Sequence, residues 1–104
     1  MPRYVVLRHD MPAGAARPSH WDFMLECGDA LRTWALQLQP DSPEPQWAEA
    51  LADHRLAYLE YEGTVSGGRG SVARWDAGSY DLQDETGVSD PSFSISVAGA
   101  RMRG

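Results

Sequence analysis

The sequence predicts an all-β fold, a small antiparallel β-barrel or sandwich with short helical or loop segments between its strands. Three observations carry this reading. About seven short runs are rich in β-branched and aromatic residues or alternate apolar with polar side chains; clusters containing Gly or Pro separate them; and no stretch keeps a helical period long enough for a substantial helix.

The elements follow in order. Tyr4 to His9 is a compact β-prone run, and Pro12 to Pro18 has the composition of a loop. His20 to Cys27 alternates, with Trp21, Phe23, Leu25 and Cys27 expected in the core and His20, Asp22, Met24 and Glu26 on the opposite face. Gly28-Asp29 suits a two-residue type II′ hairpin, because Gly accepts the positive φ required at its first central position. Ala30 to Leu36 should then pair antiparallel with its predecessor.

Gln39 to Pro45 reads as a Pro-rich surface loop, and Gln46 to Asp53 allows a short helix with little periodic support. A strand pattern resumes at His54, with His54, Leu56, Tyr58 and Glu60 on one face. Ser66 to Gly70 should be a tight hairpin turn, Ser71 to Trp75 a strand, Asp76-Ala77-Gly78 a turn, and Ser79 to Leu82 a strand. Gln83 to Pro91 reads as a loop, and Phe93, Ile95 and Val97 mark a last strand.

Length and composition bound the function. A chain of 104 residues fits one domain spanning residues 1–104, large enough for a real core. Its net charge of −6 supplies no general pull toward a polyanion, so contact with nucleic acid must be local. All nine basic residues are Arg, suited to forked recognition of phosphate or carboxylate, although genome composition explains the bias equally well. One cysteine, Cys27, cannot form an internal disulfide, and no apolar stretch approaches the ~20 residues of a membrane span; both fit a cytoplasmic protein. Cys27 is expected as a small buried hydrophobe, and Trp21, Trp34 and Trp75 mainly as core.

The chemistry concentrates in two segments, Arg8-His9-Asp10 and Ser19 to Glu26. Residues two apart on a strand lie roughly 6 to 7 Å apart on one face, so His20 and Asp22 can address one ion, with His9 from the preceding strand as third ligand. Two imidazoles and a carboxylate suit Mn²⁺, Fe²⁺ or Zn²⁺ and leave positions open for water or substrate. A histidine hydrogen-bonded to a carboxylate at a strand edge is the alternative. His54 and Tyr58 share an expected face, so an imidazole and a phenol can reach one pocket, or they are ordinary packing residues. Asp10, Glu26 and Glu60 are read as supporting partners of the histidines or as solvated carboxylates. The glycine-rich Ser66 to Gly70 lacks the Lys-Ser or Lys-Thr ending of a P-loop.

Six blocks in order extend this reading. Arg8-His9-Asp10, His20 to Glu26, Leu31 to Leu36, Asp53 to Tyr58, Tyr61 to Val65 and Val72 to Tyr80 resemble the HD, HYDLRLE, LKSWAV, DHPLxY, FEGxIP and VxxWDxGxY blocks of the 3′-phosphoesterase domain of bacterial DNA ligase D. The resemblance implies a small β-barrel and a Mn²⁺-dependent enzyme that removes 3′-phosphates or 3′-ribonucleotides from DNA ends during non-homologous end joining. It implies His9, His20 and Asp22 as metal ligands and His54 and Tyr58 as contacts to the scissile phosphate. Zn²⁺ or another divalent ion is the alternative metal.

The departures from the family pattern bear on activity. Met24 stands where the family block has its phosphate-binding Arg, Leu38 lies near the place of a functional Lys, and the Gln46 region lacks a second Arg. Losing one preorganised donor to a transition state commonly costs ~3 to 4 kcal/mol. Arg32, Arg69 and Arg74 are candidates to compensate. The chain stops soon after the Phe93 to Val97 run, so an open sheet edge covered by a second subunit is a further expectation. Two functions stay open. One is a weak or altered phosphoesterase acting on a DNA 3′ end or a small phosphoester beside end-joining proteins. The other is a non-catalytic metal-binding barrel used for structure or protein interaction, with a metal-free binding module as its variant.

Overall fold

The computed structural model describes residues 2–65, 68–82 and 95–103. Its seven strands are β1 (Arg3–Asp10), β2 (His20–Cys27), β3 (Ala30–Leu36), β4 (Glu49–Arg55), β5 (Gly63–Thr64), β6 (Ser71–Leu82) and β7 (Ile95–Gly99), with a 3₁₀ turn at Leu56–Leu59. All pairings are antiparallel in one sheet of order β4-β3-β2-β1-β6-β5, and β7 joins the far half of β6. The sheet curls into a half-barrel, so the expected all-β architecture holds.

Both faces of this sheet are covered. The concave face gathers Val5, Leu7, Met24, Leu31, Leu59, Val65 and Val72; the convex face gathers Tyr4, Val6, Leu25 and Tyr80, with Trp21, Phe23, Trp34 and Trp75 packed around them. That corrects the expected core face of β2. Leu25 is fully buried, but Trp21 and Phe23 are only half-buried and Cys27 is exposed, whereas His20, Asp22 and Met24 are 2 %, 2 % and 1 % exposed. These three tryptophans lie at the rim of the convex cluster and share their ring faces with arginines: Arg8 lies 4.3 Å over Trp21, Arg101 5.1 Å over Trp75 and Arg32 5.7 Å over Trp34.

The β2–β3 hairpin matches its expectation. Cys27 pairs with Ala30, Gly28 has φ +64°, and Asp29 has no positive φ, the II′ pattern rather than I′. Before β6 the Val65 N–H donates to the Gly70 carbonyl at 2.8 Å, while Ser66 and Gly67 of the expected hairpin turn lie outside the described residues. Gly70, at φ +83°, has no room for a Cβ, which would sit 1.9 Å from the Asp10 carbonyl oxygen.

Three segments differ from expectation. The Gln46 to Asp53 region forms no helix, since from Glu49 onward it completes the ladder beside β3. The run after His54 is not a strand; Leu56–Leu59 tightens into a 3₁₀ turn that drops Leu59 into the concave core. Asp76-Ala77-Gly78 is not a turn but the middle of β6, where a bulge opposite Val6/Leu7 leaves Trp75 as the extra residue. There Asp76 is 3 % exposed and accepts the Tyr4 hydroxyl at 2.7 Å and the Arg101 and Met102 N–H groups at 3.0 Å each. Gly78 lets β7 approach, because a Cβ there would stand 2.0 Å from the Ala98 carbonyl oxygen. The Gln83 to Pro91 loop and Phe93 lie outside the described residues.

Candidate metal centre and cleft

Strand parity and register assemble the centre. On β1, Val5, Leu7 and His9 follow one another on the concave face; on β2, Met24, Asp22 and His20 do the same. The ladder sets His9 opposite His20 and Leu7 opposite Asp22, so three ligand-bearing side chains occupy one small patch of two adjacent strands. One donor atom from each of the three lies within 4.8 Å of the others.

Backbone carbonyls fix the imidazoles. The His9 Nε2 lies 2.7 Å from the Arg69 carbonyl oxygen and the His20 Nδ1 lies 2.9 Å from that of Pro18. A carbonyl only accepts, so these nitrogens carry the ring protons, the arrangement usual behind a metal-ligating histidine. The other nitrogens face one carboxylate: His9 Nδ1 is 3.0 Å from Asp22 Oδ2, and His20 Nε2 is 2.9 Å from Asp22 Oδ1. The second contact lacks hydrogen-bond alignment, and Oδ1 is buried with no donor among the described residues. Neutral imidazole lone pairs thus converge on carboxylate lone pairs. Such a set is stable only with protonated rings or with a cation among them.

The electrostatics agree. Burial alone would raise the Asp22 pKa, but the contacts from His20 and His9 outweigh it and hold the carboxyl below its ordinary value. The Asp22 contact raises the His20 pKa against the opposing desolvation. Two imidazoles and one carboxylate, with a buried orphan oxygen, fit a divalent first-row ion. The loop from β1 to β2 is tied down beside β2 and β4. Its Arg17 forks onto Glu49 of β4 at 2.7 and 2.9 Å, and the Ser19 hydroxyl accepts the Met11 N–H at 2.9 Å.

His54 reaches the same side through a bulge. Leu31 pairs with His54 but Thr33 with Leu51, so β4 carries one extra residue; without it Asp53 would stand opposite Leu31. His54 Nδ1 donates to the Ala52 carbonyl at 3.0 Å, which leaves Nε2 as the outward nitrogen. The Tyr58 ring meets the His54 ring edge-on at 5.6 Å. These groups line a cleft of about 280 Å³ that has His9 and Asp22 on one side, His54 and Tyr58 on the other, and Met24 among the apolar residues between.

The remaining sequence candidates are placed elsewhere. The Glu26 carboxylate accepts the Arg3 N–H at 2.9 Å, six residues along β2 from His20 and so about 20 Å away. Asp10 follows His9 but accepts from Arg8 Nε at 3.1 Å, and Glu60 stands 3.6 Å from Arg3. Arg32 pairs with Asp53 at 3.3 Å, and Arg74 donates to the Leu59 carbonyl at 3.3 Å. Of the three arginines considered as replacements for a cation at Met24, Arg69 is the one that lines the cleft. Arg55, also on the cleft wall, escaped the sequence reading, and so did the carbonyls of Pro18, Ala52 and Arg69. Arg55 left a signal, a cation immediately after a candidate histidine; the carbonyls left none, because any residue type supplies one.

Comparison with known proteins places this sequence in a family. Residues 9–104 match the model of the DNA ligase D 3′-phosphoesterase domain. The chain is 31 % identical over 109 aligned residues to the multifunctional non-homologous end joining protein LigD of Pseudomonas aeruginosa, covering 98 % of this chain and 12 % of that protein. It is 37 % identical over 73 residues to the multifunctional non-homologous end joining DNA repair protein LigD of Mycobacterium tuberculosis, covering 65 % of this chain and 10 % of the relative. The chain therefore spans about a tenth of the length of these relatives. With most of its length matched and its six sequence blocks in order, the chain belongs to the DNA ligase D 3′-phosphoesterase domain family.

Proposed function

We propose that this domain is a divalent-metal-dependent phosphoesterase acting on a 3′-phosphate at a DNA end or on a small phosphoester. The observation that carries the proposal is the convergence of the His9 Nδ1 and His20 Nε2 on the two oxygens of Asp22, with both opposite ring nitrogens tied to carbonyls. Mn²⁺ is the ion we assign, with Zn²⁺ as the alternative. A bound divalent ion supplies Lewis acidity toward a phosphoryl oxygen and toward water. His54 and Tyr58, across the cleft, offer donors to the phosphoryl group as charge builds on it. In the reaction, water adds to phosphorus, the bond from phosphorus to the 3′ oxygen breaks, and that oxygen takes a proton, leaving a 3′-hydroxyl and inorganic phosphate. His54 Nε2 is the nitrogen available for that proton movement, since Nδ1 is held by Ala52.

Met24 favours a second reading. It is 1 % exposed and packs with Val5, Leu7 and Leu31, so this face of β2 offers no cation to a phosphate, as in a barrel that keeps its metal for structure or protein contact. End-joining proteins, and a second copy of the chain at an open sheet edge, are the partners this reading shares with the first. Among the described residues no helix is long and apolar enough to cross a membrane, and we assign the domain to the cytoplasm.

The deciding experiment incubates Mn²⁺-loaded protein with a 3′-phosphate-terminated oligonucleotide. Wild type should release phosphate and His20→Ala should not; equal release from both ends the catalytic proposal. Met24→Arg should raise the rate, by up to about 10² to 10³ if the missing cation limits the parent.

A further inference from the structure

A second cleft of about 290 Å³ adjoins the first and is lined by Arg55, Ala57, Tyr58, Tyr61, Thr64 and Val65. Arg55, Tyr58 and Val65 line both, so they form a shared wall. Each cleft alone lies just below the about 300 to 1,000 Å³ of small-ligand sites, enough for one chemical group of a ligand. Together they suit a ligand with two unlike parts.

The two compartments differ in chemistry. The first is lined by His9 and Asp22 of the metal-ligand centre and by His54. The second is aromatic: the Tyr58 and Tyr61 rings meet edge-to-face at 5.7 Å, and the Tyr61 hydroxyl is tied to the Thr64 carbonyl, which fixes the ring while leaving the residue 40 % exposed. Arg55 stands between them, exposed and without an ion pair among the described residues. The nearby carboxylate, Asp53, is drawn to Arg32 at 3.3 Å rather than to Arg55. Arg55 occupies the place of the proline in the DHPLxY block, so this cation belongs to this chain's own version of the cleft.

We propose that the second cleft is a nucleoside subsite, in which a base stacks on Tyr61, and that Arg55 on the shared wall holds the phosphate this nucleoside carries into the first cleft. The inference rests on the phosphoesterase reading and specifies its substrate as a nucleoside 3′-phosphate, free or at a strand end. A guanidinium forks onto phosphate oxygens, and an aromatic ring accepts any base, so the subsite selects a nucleotide over bare phosphate without reading sequence.

Calorimetric titration tests this on the full chain, first with chelator so that ligands stay intact and then with Mn²⁺. The probes are thymidine 3′-monophosphate, thymidine and inorganic phosphate. Metal-free wild type should bind the nucleotide at least about tenfold more tightly than inorganic phosphate. Tyr61→Ala should erase that preference and Tyr61→Phe should keep it. Arg55→Ala should weaken the nucleotide severalfold and leave thymidine unchanged. Equal affinity of wild type for nucleotide and phosphate, or a preference that survives Tyr61→Ala, overturns the subsite. The parent reading fails separately: if Mn²⁺ leaves phosphate affinity unchanged while the nucleotide preference persists, the metal chemistry is wrong and the subsite stands.

Discussion

Adding Mn²⁺ to the protein at two pH values should reveal the centre by its effect on stability. In the metal-free protein the Asp22 contact raises the His20 pKa, so the folded state binds this proton more tightly than the unfolded chain. Stabilisation from that proton is complete below the unfolded value of about 6.5 and is lost as pH rises through the folded value. Asp22, with a lowered pKa, contributes above the unfolded carboxyl value of about 3.9 and stays ionised throughout the neutral range. Metal reverses the trend, because it needs a deprotonated His20. Below the folded pKa each displaced proton makes binding tenfold stronger per pH unit, about 1.4 kcal/mol. Mn²⁺ at about 100 times its Kd contributes about 2.7 kcal/mol. For a domain of this size 1 kcal/mol moves Tm by about 4 to 8 °C, so the Mn²⁺-induced shift should reach roughly 11 to 22 °C and change by roughly 6 to 11 °C per pH unit. Scanning calorimetry from about pH 6 to about pH 8, with Mn²⁺ and with chelator, measures both. A shift of the same size at both ends of this range, or one retained by His20→Ala, refutes the reasoning.

The remaining predictions concern the scaffold. Tyr4→Phe should cost about 1 to 3 kcal/mol in urea melts, because it takes the hydroxyl from the buried Asp76 Oδ2. The Asp76 carboxyl is held below its ordinary value: burial opposes ionisation, but the Tyr4, Arg101 and Met102 donors prevail. Its contribution should therefore be present above about pH 4 and fade as pH falls through the folded pKa, a fading that Asp76→Asn abolishes. Gly78→Ala should cost about 1 to 3 kcal/mol and free β7 in hydrogen exchange, since its methyl would strike the Ala98 carbonyl. Trp47→Ala, at a side chain 97 % exposed, should leave stability within about 0.5 kcal/mol.

The site was legible where strand parity decides it and illegible where parity changes. Alternation along β2 put His20 and Asp22 on one face, and the pairing of His9 with His20 across the connection from β1 completed the set. The same alternation misassigned the core face. A curled sheet covered on both sides gives each strand two apolar surroundings, and the pattern Trp21, Phe23, Leu25 does not say which is concave. The larger rings went outward, where convex curvature leaves room and arginines lie over them, while the smaller Met24 filled the inner face.

Bulges are the deeper obstacle. One extra residue in β4 turns His54 rather than Asp53 toward Leu31, and one in β6 keeps Asp76 under the Tyr4 hydroxyl instead of in a turn. Neither has a signature in composition, because the cause is the partner strand. His54 and Tyr58 meet for a different reason than alternation: His54, one residue before the end of β4, is turned inward by the bulge, and the 3₁₀ turn then carries Tyr58 back to within 5.6 Å of it. The same turn sets Arg55 between two clefts, on the wall that separates a metal-ligand centre from a pair of tyrosines. A continuous strand would have spread these residues along the sheet. The irregular end of β4 is therefore what lets so small a domain gather its chemistry in one place.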